Sequence, residues 1–290
     1  LFDAIAAGRV KAGGIMATNP AVTLPDADRV RAALKDCELV IVSDCVHTDT
    51  TAYAHVLLPA AAWGEKDGTV TNSERRISRQ RPFLPAPGEA LPDWRIICEV
   101  AARMGFAADF AYQRPADIFR EHAALTGFEN DNARAFDISL LAGIGDADYD
   151  ALRPVQWPLS AGAPDGTARL FTDGRYFTPS GRARLVAVEP RPPANATGDG
   201  YPLVLNTGRV RDQWHTMTRT GNSPRLTAHQ AEPVVEIHSA DARAYDVTDG
   251  ALAEVASRWG SMLARVRVTE SQRQVASGRL TLGPRSRTIL

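Results

Sequence analysis

The chain has 290 residues, enough for two ordinary domains that each bury a core. Hydrophobic residues at 44% and charged residues at 23% match globular averages and exclude a disordered or fibrous chain. A net charge of −1 gives no long-range field to gather nucleic acid or an anionic membrane, and no apolar run approaches the roughly 20 residues that span a bilayer.

Leu1, Phe2, Ile5 and Val10 fall at helical spacing, and Gly13-Gly14 is the expected stop, releasing a strand at Ile15-Met16-Ala17-Thr18 that Asn19-Pro20 ends. Asp26 and Asp28 favour a helix start, with Val30, Ala33 and Leu34 on its inner face. The run Leu39-Val40-Ile41-Val42 is continuously apolar, as in a parallel strand covered on both faces, and it closes on Ser43-Asp44. A polar stretch over residues 47–51 leads to a further strand at 56–59, and this alternation predicts an open α/β sheet. Residues 63–87 are too long and polar for a simple connection and read as a functional loop. A helix capped by Asp93 follows, with Trp94, Ile97, Ala101 and Met104 on one side and Gly105 at its end.

Residues 107–200 are less regular, with a helical patch at 118–125 and a hairpin expected near 171–177. A second body starts at Leu203-Val204-Leu205 and continues with Val234-Val235-Glu236-Ile237, a helix at 239–245, a turn at Asp249-Gly250 and a hairpin about Trp259-Gly260-Ser261. That half is mostly β and suits a barrel. Leu1 opens inside a helical pattern with neither an initiator Met nor a signal peptide, which suggests a fragment.

Ligands of open α/β sheets gather beyond the carboxyl ends of strands, so Thr18-Asn19 and Ser43-Asp44 are the informative positions; ordinary turn chemistry is the other reading. The polar loop holding Lys66, Asn72, Glu74 and Arg75 reads either as a solvated turn or as a site. No glycine-rich phosphate fingerprint occurs. Thr207, Gly208, Arg209, Val210, Arg211, Asp212, Gln213, Trp214, His215 and Thr216 follow a strand directly and concentrate donors suited to a polyanion, the strongest local signal in the chain. His215 is either an acid–base group or a hydrogen-bonding spacer, and the other histidines have no metal spacing. Cys37, Cys45 and Cys98 lack cluster or zinc spacing and read as buried thiols.

The blocks GIMATNPAVTLP, VSDCVHTDTTAYAHVLLPAAAWGEKDGTVTNSERRISRQR and LNTGRVRDQWHTMTRTGNSPRL resemble, in order, the carboxy-terminal part of bis-molybdopterin guanine dinucleotide oxidoreductases of the assimilatory nitrate reductase type. The resemblance runs to about residue 272. It implies a Rossmann-like α/β domain over 1–106, an irregular connecting region over 107–200 that packs on upstream domains, and a six-stranded, double-psi-type β-barrel domain over 201–272. It leaves a divergent tail at 273–290.

The implied cofactor is molybdenum-bis(molybdopterin guanine dinucleotide). Asn19, Ser43, Asp44, Lys66 and Asp93 match the family's contacts on one side, and residues 207–216 match the loop that grips the other pterin. The resemblance further implies a 4Fe-4S cluster and the molybdenum ligand, both upstream of these residues, and nitrate as substrate. The electron donor would be a reductase subunit, ferredoxin or flavodoxin, with no nucleic-acid or membrane partner, in the cytoplasm. Asn72, Glu74 and Arg75 are the candidate catalytic residues, placed near the substrate funnel on their polar clustering alone. His55 stands where the family has an acidic residue. A formate dehydrogenase, a periplasmic nitrate reductase or a non-catalytic nucleotide-binding module are the alternatives, and the chain alone is expected to be inactive.

Overall fold

The computed structural model describes residues 1–131 and 133–271. Helix α1 (Phe2–Ala6) gives way at Gly8, whose φ of +69° is the left-handed conformation that follows helix ends. Gly13 and Gly14, expected to stop this helix, lie instead inside β1 (Ala12–Met16), because Gly8 has already ended it and both glycines pair with Val40 and Ile41. Two helices follow, α2 (Pro20–Thr23) and α3 (Ala27–Asp36), and α3 buries Val30, Ala33 and Leu34 as the spacing predicts.

Next come β2 (Leu39–Asp44) and β3 (Val56–Pro59), which complete a parallel sheet in the order β1-β2-β3. Central β2 needs apolar side chains, and Val40 and Val42 are buried with Ile5, Ala21, Leu34 and Cys37 in the first core. Each large aliphatic side chain taken fully from water contributes about 1.5–3 kcal/mol. The carboxyl ends of all three strands point the same way, which gathers Asn19, Ser43 and Asp44 at one edge.

Residues 63–87 are not one loop. They hold an antiparallel hairpin of β4 (Gly68–Thr71) and β5 (Arg76–Gln80), because Thr69-Val70-Thr71 and Ile77-Ser78 alternate with the period of a strand. The next helix, α4 (Asp93–Arg103), has Pro92 rather than Asp93 at its cap position. It buries Ala101 as expected, but beside it Ile96 rather than Ile97, which is exposed, as is Met104 just past the helix end. Its approach is set by Leu91, which bonds to Pro59 and Ala61 beyond the tip of β3.

The region 107–200 contains more structure than expected: α5 (Pro115–Gly127), α6 (Asp146–Asp150) and β6 (Val155–Gln156), the last pairing with β5. Ile77 of the hairpin joins Ala116, Phe119, Ala123, Ile138, Tyr149, Val155 and Leu159 in a second core. Arg79, 3% exposed, lies 4.1 Å over the Tyr149 ring and pairs with Asp67 at 2.6 Å. The expected hairpin near 171–177 is a turn: Gly174 donates to the Phe171 carbonyl, and the Phe171 and Tyr176 rings stack at 4.5 Å across it, with no ladder on either side.

The last body holds α7 (Pro224–Thr227), β7 (Val234–Ile237), α8 (Ser239–Ala244), β8 (Leu252–Ser257) and β9 (Gly260–Val268). Its sheet order is β7-β9-β8, with β9 antiparallel to β8 and parallel to β7. His238 caps α8, its Nδ1 accepting from the Ala240 N–H at 3.1 Å. Leu203-Val204-Leu205 forms no strand, because a strand exists through its ladder and the described residues offer this run no partner. Among the described residues the fold is therefore mixed α and β, with three three-stranded sheets and no closed barrel. The divergent tail expected at 273–290 lies outside the described residues. No helix of the described residues is long and apolar enough to cross a membrane.

Candidate functional site

The edge formed by the strand tips carries the candidate site. Met16 is in register with Ser43, and the Ala17 N–H bonds to the Ser43 carbonyl at 3.0 Å, so the chain leaving β1 passes beside the tip of β2. Asn19 follows, buried. Its Oδ1 accepts from Thr50 twice, from the backbone N–H at 3.1 Å and from the hydroxyl at 2.6 Å. Its Nδ2 donates to Asp49 and to Thr216, each at 3.3 Å. The second contact ties the first sheet domain to the donor-rich loop of the last body, across 197 residues of sequence.

Ser43, 2% exposed, has its hydroxyl shut from water with no hydrogen-bond partner. Asp44 accepts from the Cys45 N–H at 2.7 Å. Beyond the tip of β3, Lys66 and Asp93 form an ion pair at 2.5 Å and are both partly exposed, so these two expected cofactor contacts hold one another here.

The loop over 207–221 is built around Gln213. Its Oε1 accepts from the Thr220 hydroxyl at 2.6 Å, and that hydroxyl in turn accepts from the Trp214 N–H at 3.0 Å. The other end of the Gln213 amide, Nε2, is buried without a partner. Arg209 lies 5.0 Å over the Trp214 ring, and His215 meets that ring edge-on at 4.4 Å. Asp212 pairs with His229 at 2.8 Å and more loosely with the exposed Arg211 at 3.8 Å. Val210 accepts from the Gln213 N–H, which starts the turn, and Thr207 and Gly208 lead into it without regular structure.

Asn72, Glu74 and Arg75 do not join this edge. Asn72 Oδ1 accepts from the Glu74 and Arg76 N–H groups, which closes the β4–β5 turn. Arg75, in the left-handed region at φ +68°, sends its guanidinium to the carbonyls of Trp157, Thr167 and Ala168. The donors expected to meet a substrate are spent on fastening the hairpin to residues 157–168. Cys37 is buried as expected, whereas Cys45 and Cys98 are only partly so. Asp49 and Thr50 were not singled out from the sequence; the threonine-rich stretch at 47–51 was the available signal.

Buried polar atoms without partners are rare and ask for a cause. Among the described residues four side-chain atoms are in this state, and two of them, Ser43 Oγ and Gln213 Nε2, sit at expected cofactor positions on the two bodies that Asn19 and Thr216 join. A donor-capable hydroxyl and an amide N–H suit the phosphate, ribose and heterocyclic groups of a dinucleotide. The residues present fit such a group.

Comparison with known proteins agrees. The family model "Molybdopterin oxidoreductase" matches residues 1–103, and "Molydopterin dinucleotide binding domain" matches residues 203–277. The chain thus matches a molybdopterin oxidoreductase domain and a molydopterin dinucleotide-binding domain, and the cofactor that goes with these two matches is molybdenum-bis(molybdopterin guanine dinucleotide). It is 53% identical to a nitrate reductase of Klebsiella oxytoca over 94% of its own length and 31% of that protein's. It is 33% identical to the assimilatory nitrate reductase catalytic subunit of Bacillus subtilis, covering 94% of this chain and 38% of the relative. A formate dehydrogenase alpha subunit of Methanocaldococcus jannaschii is 37% identical over 88% of this chain and 36% of its own. The acetylene hydratase of Pelobacter acetylenicus shares the fold, with a TM-score of 0.71 at 20% identity over 94% of this chain and 38% of that one. The chain thus spans about a third of the length of the curated relatives it matches.

Proposed function

We propose that this chain is part of the catalytic subunit of an assimilatory, molybdenum-dependent nitrate reductase. The observation that carries the substrate is the 53% identity to a nitrate reductase along nearly the whole chain. In this reading residues 1–106 form a Rossmann-like domain, residues 201–272 contribute to a six-stranded barrel, and residues 107–200 connect them and pack on upstream domains. The two outer bodies close on the cofactor from opposite sides.

The bound molybdenum centre supplies two-electron oxo transfer, which turns nitrate into nitrite. The residues of this chain bind and orient. Ser43 Oγ and Gln213 Nε2 provide donors whose desolvation is already complete, so a ligand acceptor gains a hydrogen bond without stripping water from the protein side. Asp44 offers a carboxylate to base or sugar N–H and O–H groups, and Arg209, held over Trp214, offers a guanidinium to phosphate. Lys66 and Asp93 would join by opening their mutual ion pair, which is partly exposed. A 4Fe-4S cluster and a reductase, ferredoxin or flavodoxin donor would supply electrons from outside these residues, in the cytoplasm.

The formate dehydrogenase relative favours a second reading, formate oxidation on the same cofactor. Full-length protein purified with its cofactor decides between them. Molybdenum and guanine nucleotide should co-purify, and reduced viologen should drive nitrite formation from nitrate. Formate oxidation with no nitrite formed would overturn the nitrate assignment, and protein lacking guanine nucleotide would overturn the cofactor assignment.

A further inference from the structure

The Asn19 amide can sit only one way round. Thr50 faces it with a backbone N–H, which has no lone pair to offer, so the oxygen must take that side and the N–H edge must face Asp49 and Thr216. Thr50 itself is 0% exposed, and its hydroxyl is used twice: it donates to Asn19 Oδ1 and accepts from the Ala21 N–H at 3.2 Å. All four hydrogen-bonding positions of the amide are therefore occupied within the protein, three fixing it to residues 49–50 and one reaching the other body.

Thr216, the acceptor on that body, sits between two non-glycine residues in the left-handed region, His215 at φ +46° and Met217 at φ +64°. Such backbone persists where the surroundings hold it. One hold is the Gln213–Thr220 staple at the base of the loop, and the other is the bond from Asn19 near its apex.

We infer that Thr50 and Thr216 are positioning residues that latch the 207–221 loop to the tip of the first sheet through Asn19, setting the distance between the two sides of the cofactor site. Thr50 orients the amide and Thr216 receives it. The purpose of the latch rests on the cofactor reading above, while its geometry does not.

The test uses full-length protein made in a host unable to synthesise molybdopterin, and the same protein loaded with cofactor. Trypsin cuts after Arg209, Arg211 and Arg219, and mass spectrometry follows those bonds. In cofactor-free protein Thr216→Val should raise their cleavage about five-fold, the effect of one lost hydrogen bond on a loop-opening equilibrium, while Thr216→Ser cleaves at the parental rate. Thr50→Val should reproduce the rise and Thr50→Ser should not; if Thr50→Val cleaves throughout the chain it reports on folding, and the Thr216 pair decides. In loaded protein both valine variants should retain less guanine nucleotide. Parental cleavage in Thr216→Val, or an equal rise in Thr216→Ser, overturns the latch. A latch seen in protein that takes up no molybdopterin leaves this inference standing and removes the cofactor reading instead.

Discussion

The Ser43 hydroxyl is closed off from water without an acceptor, a state that costs about 1–3 kcal/mol for a polar group. Ser43→Ala removes the group and its cost together. Cofactor-free protein carrying this change should melt no lower than the parent, by calorimetry, while the guanine nucleotide bound per protein falls. A lower melting temperature with unchanged nucleotide content would show that the hydroxyl serves the fold instead. Asn19, Ser43 and Asp44 were legible because strand ends are places a sequence marks, an apolar run stopping on a short polar side chain. Thr50 was not, since nothing local says which of several hydroxyls in 47–51 turns inward to meet a side chain 31 residues earlier. The partners of Arg75 were equally out of view: a charged residue in a polar cluster gives no sign of carbonyls that lie 82 to 93 residues further on.

Helix α5 depends on a carboxylate. Asp117 Oδ2 accepts from the Gln113 N–H at 2.8 Å and from the Arg114 N–H at 3.1 Å, which ties the incoming chain to the first turn. The Gln113 N–H above all, and then the Arg114 N–H and the Arg120 guanidinium, hold the Asp117 carboxyl below the usual carboxylate range against the opposing effect of desolvation. A lowered carboxyl stabilises the fold fully above its ordinary value of about 3.9 and loses that contribution as pH falls through the folded value beneath it. Asp117→Asn should therefore unfold more easily than the parent at pH 7, by on the order of 1 kcal/mol, with the gap closing as the solution is acidified below the ordinary carboxylate range. A gap that is constant with pH would assign the loss to shape rather than charge. Elements showed in the sequence where one face is uniformly apolar, as in β2 and α3. The β4–β5 hairpin stayed hidden because only Ile77 of its residues is buried, and the alternating pattern was masked by arginines, Arg76 bonding to the Gln156 side-chain oxygen and Arg79 to the Gly68 carbonyl and the Asp67 carboxylate.

Among the described residues two core clusters share no residues, one under the parallel sheet and one under α5 and the hairpin. Between the second core and the last body the chain carries Leu185 at 94% exposure, with Val186, Val188, Val204 and Leu205 also exposed. Apolar surface of this extent on a single chain calls for cover. Residues 1–290 expressed alone should bind a hydrophobic fluorophore strongly and form no nitrite from nitrate, whereas the full-length protein should bind the dye weakly; equal, weak binding by both would show that this run needs no covering polypeptide. The register of the parallel sheet has a further consequence. Val42 and Ser43 are neighbours that point to opposite faces of the sheet, Val42 into the first core and Ser43 away from it. A slip of one position between β1 and β2 would drive the hydroxyl into the aliphatic layer and bring a valine to the rim. The greasy side of the strand thus acts as a ruler for its polar end, and variants that trim Val40 or Val42 endanger the placement of Ser43 without touching it.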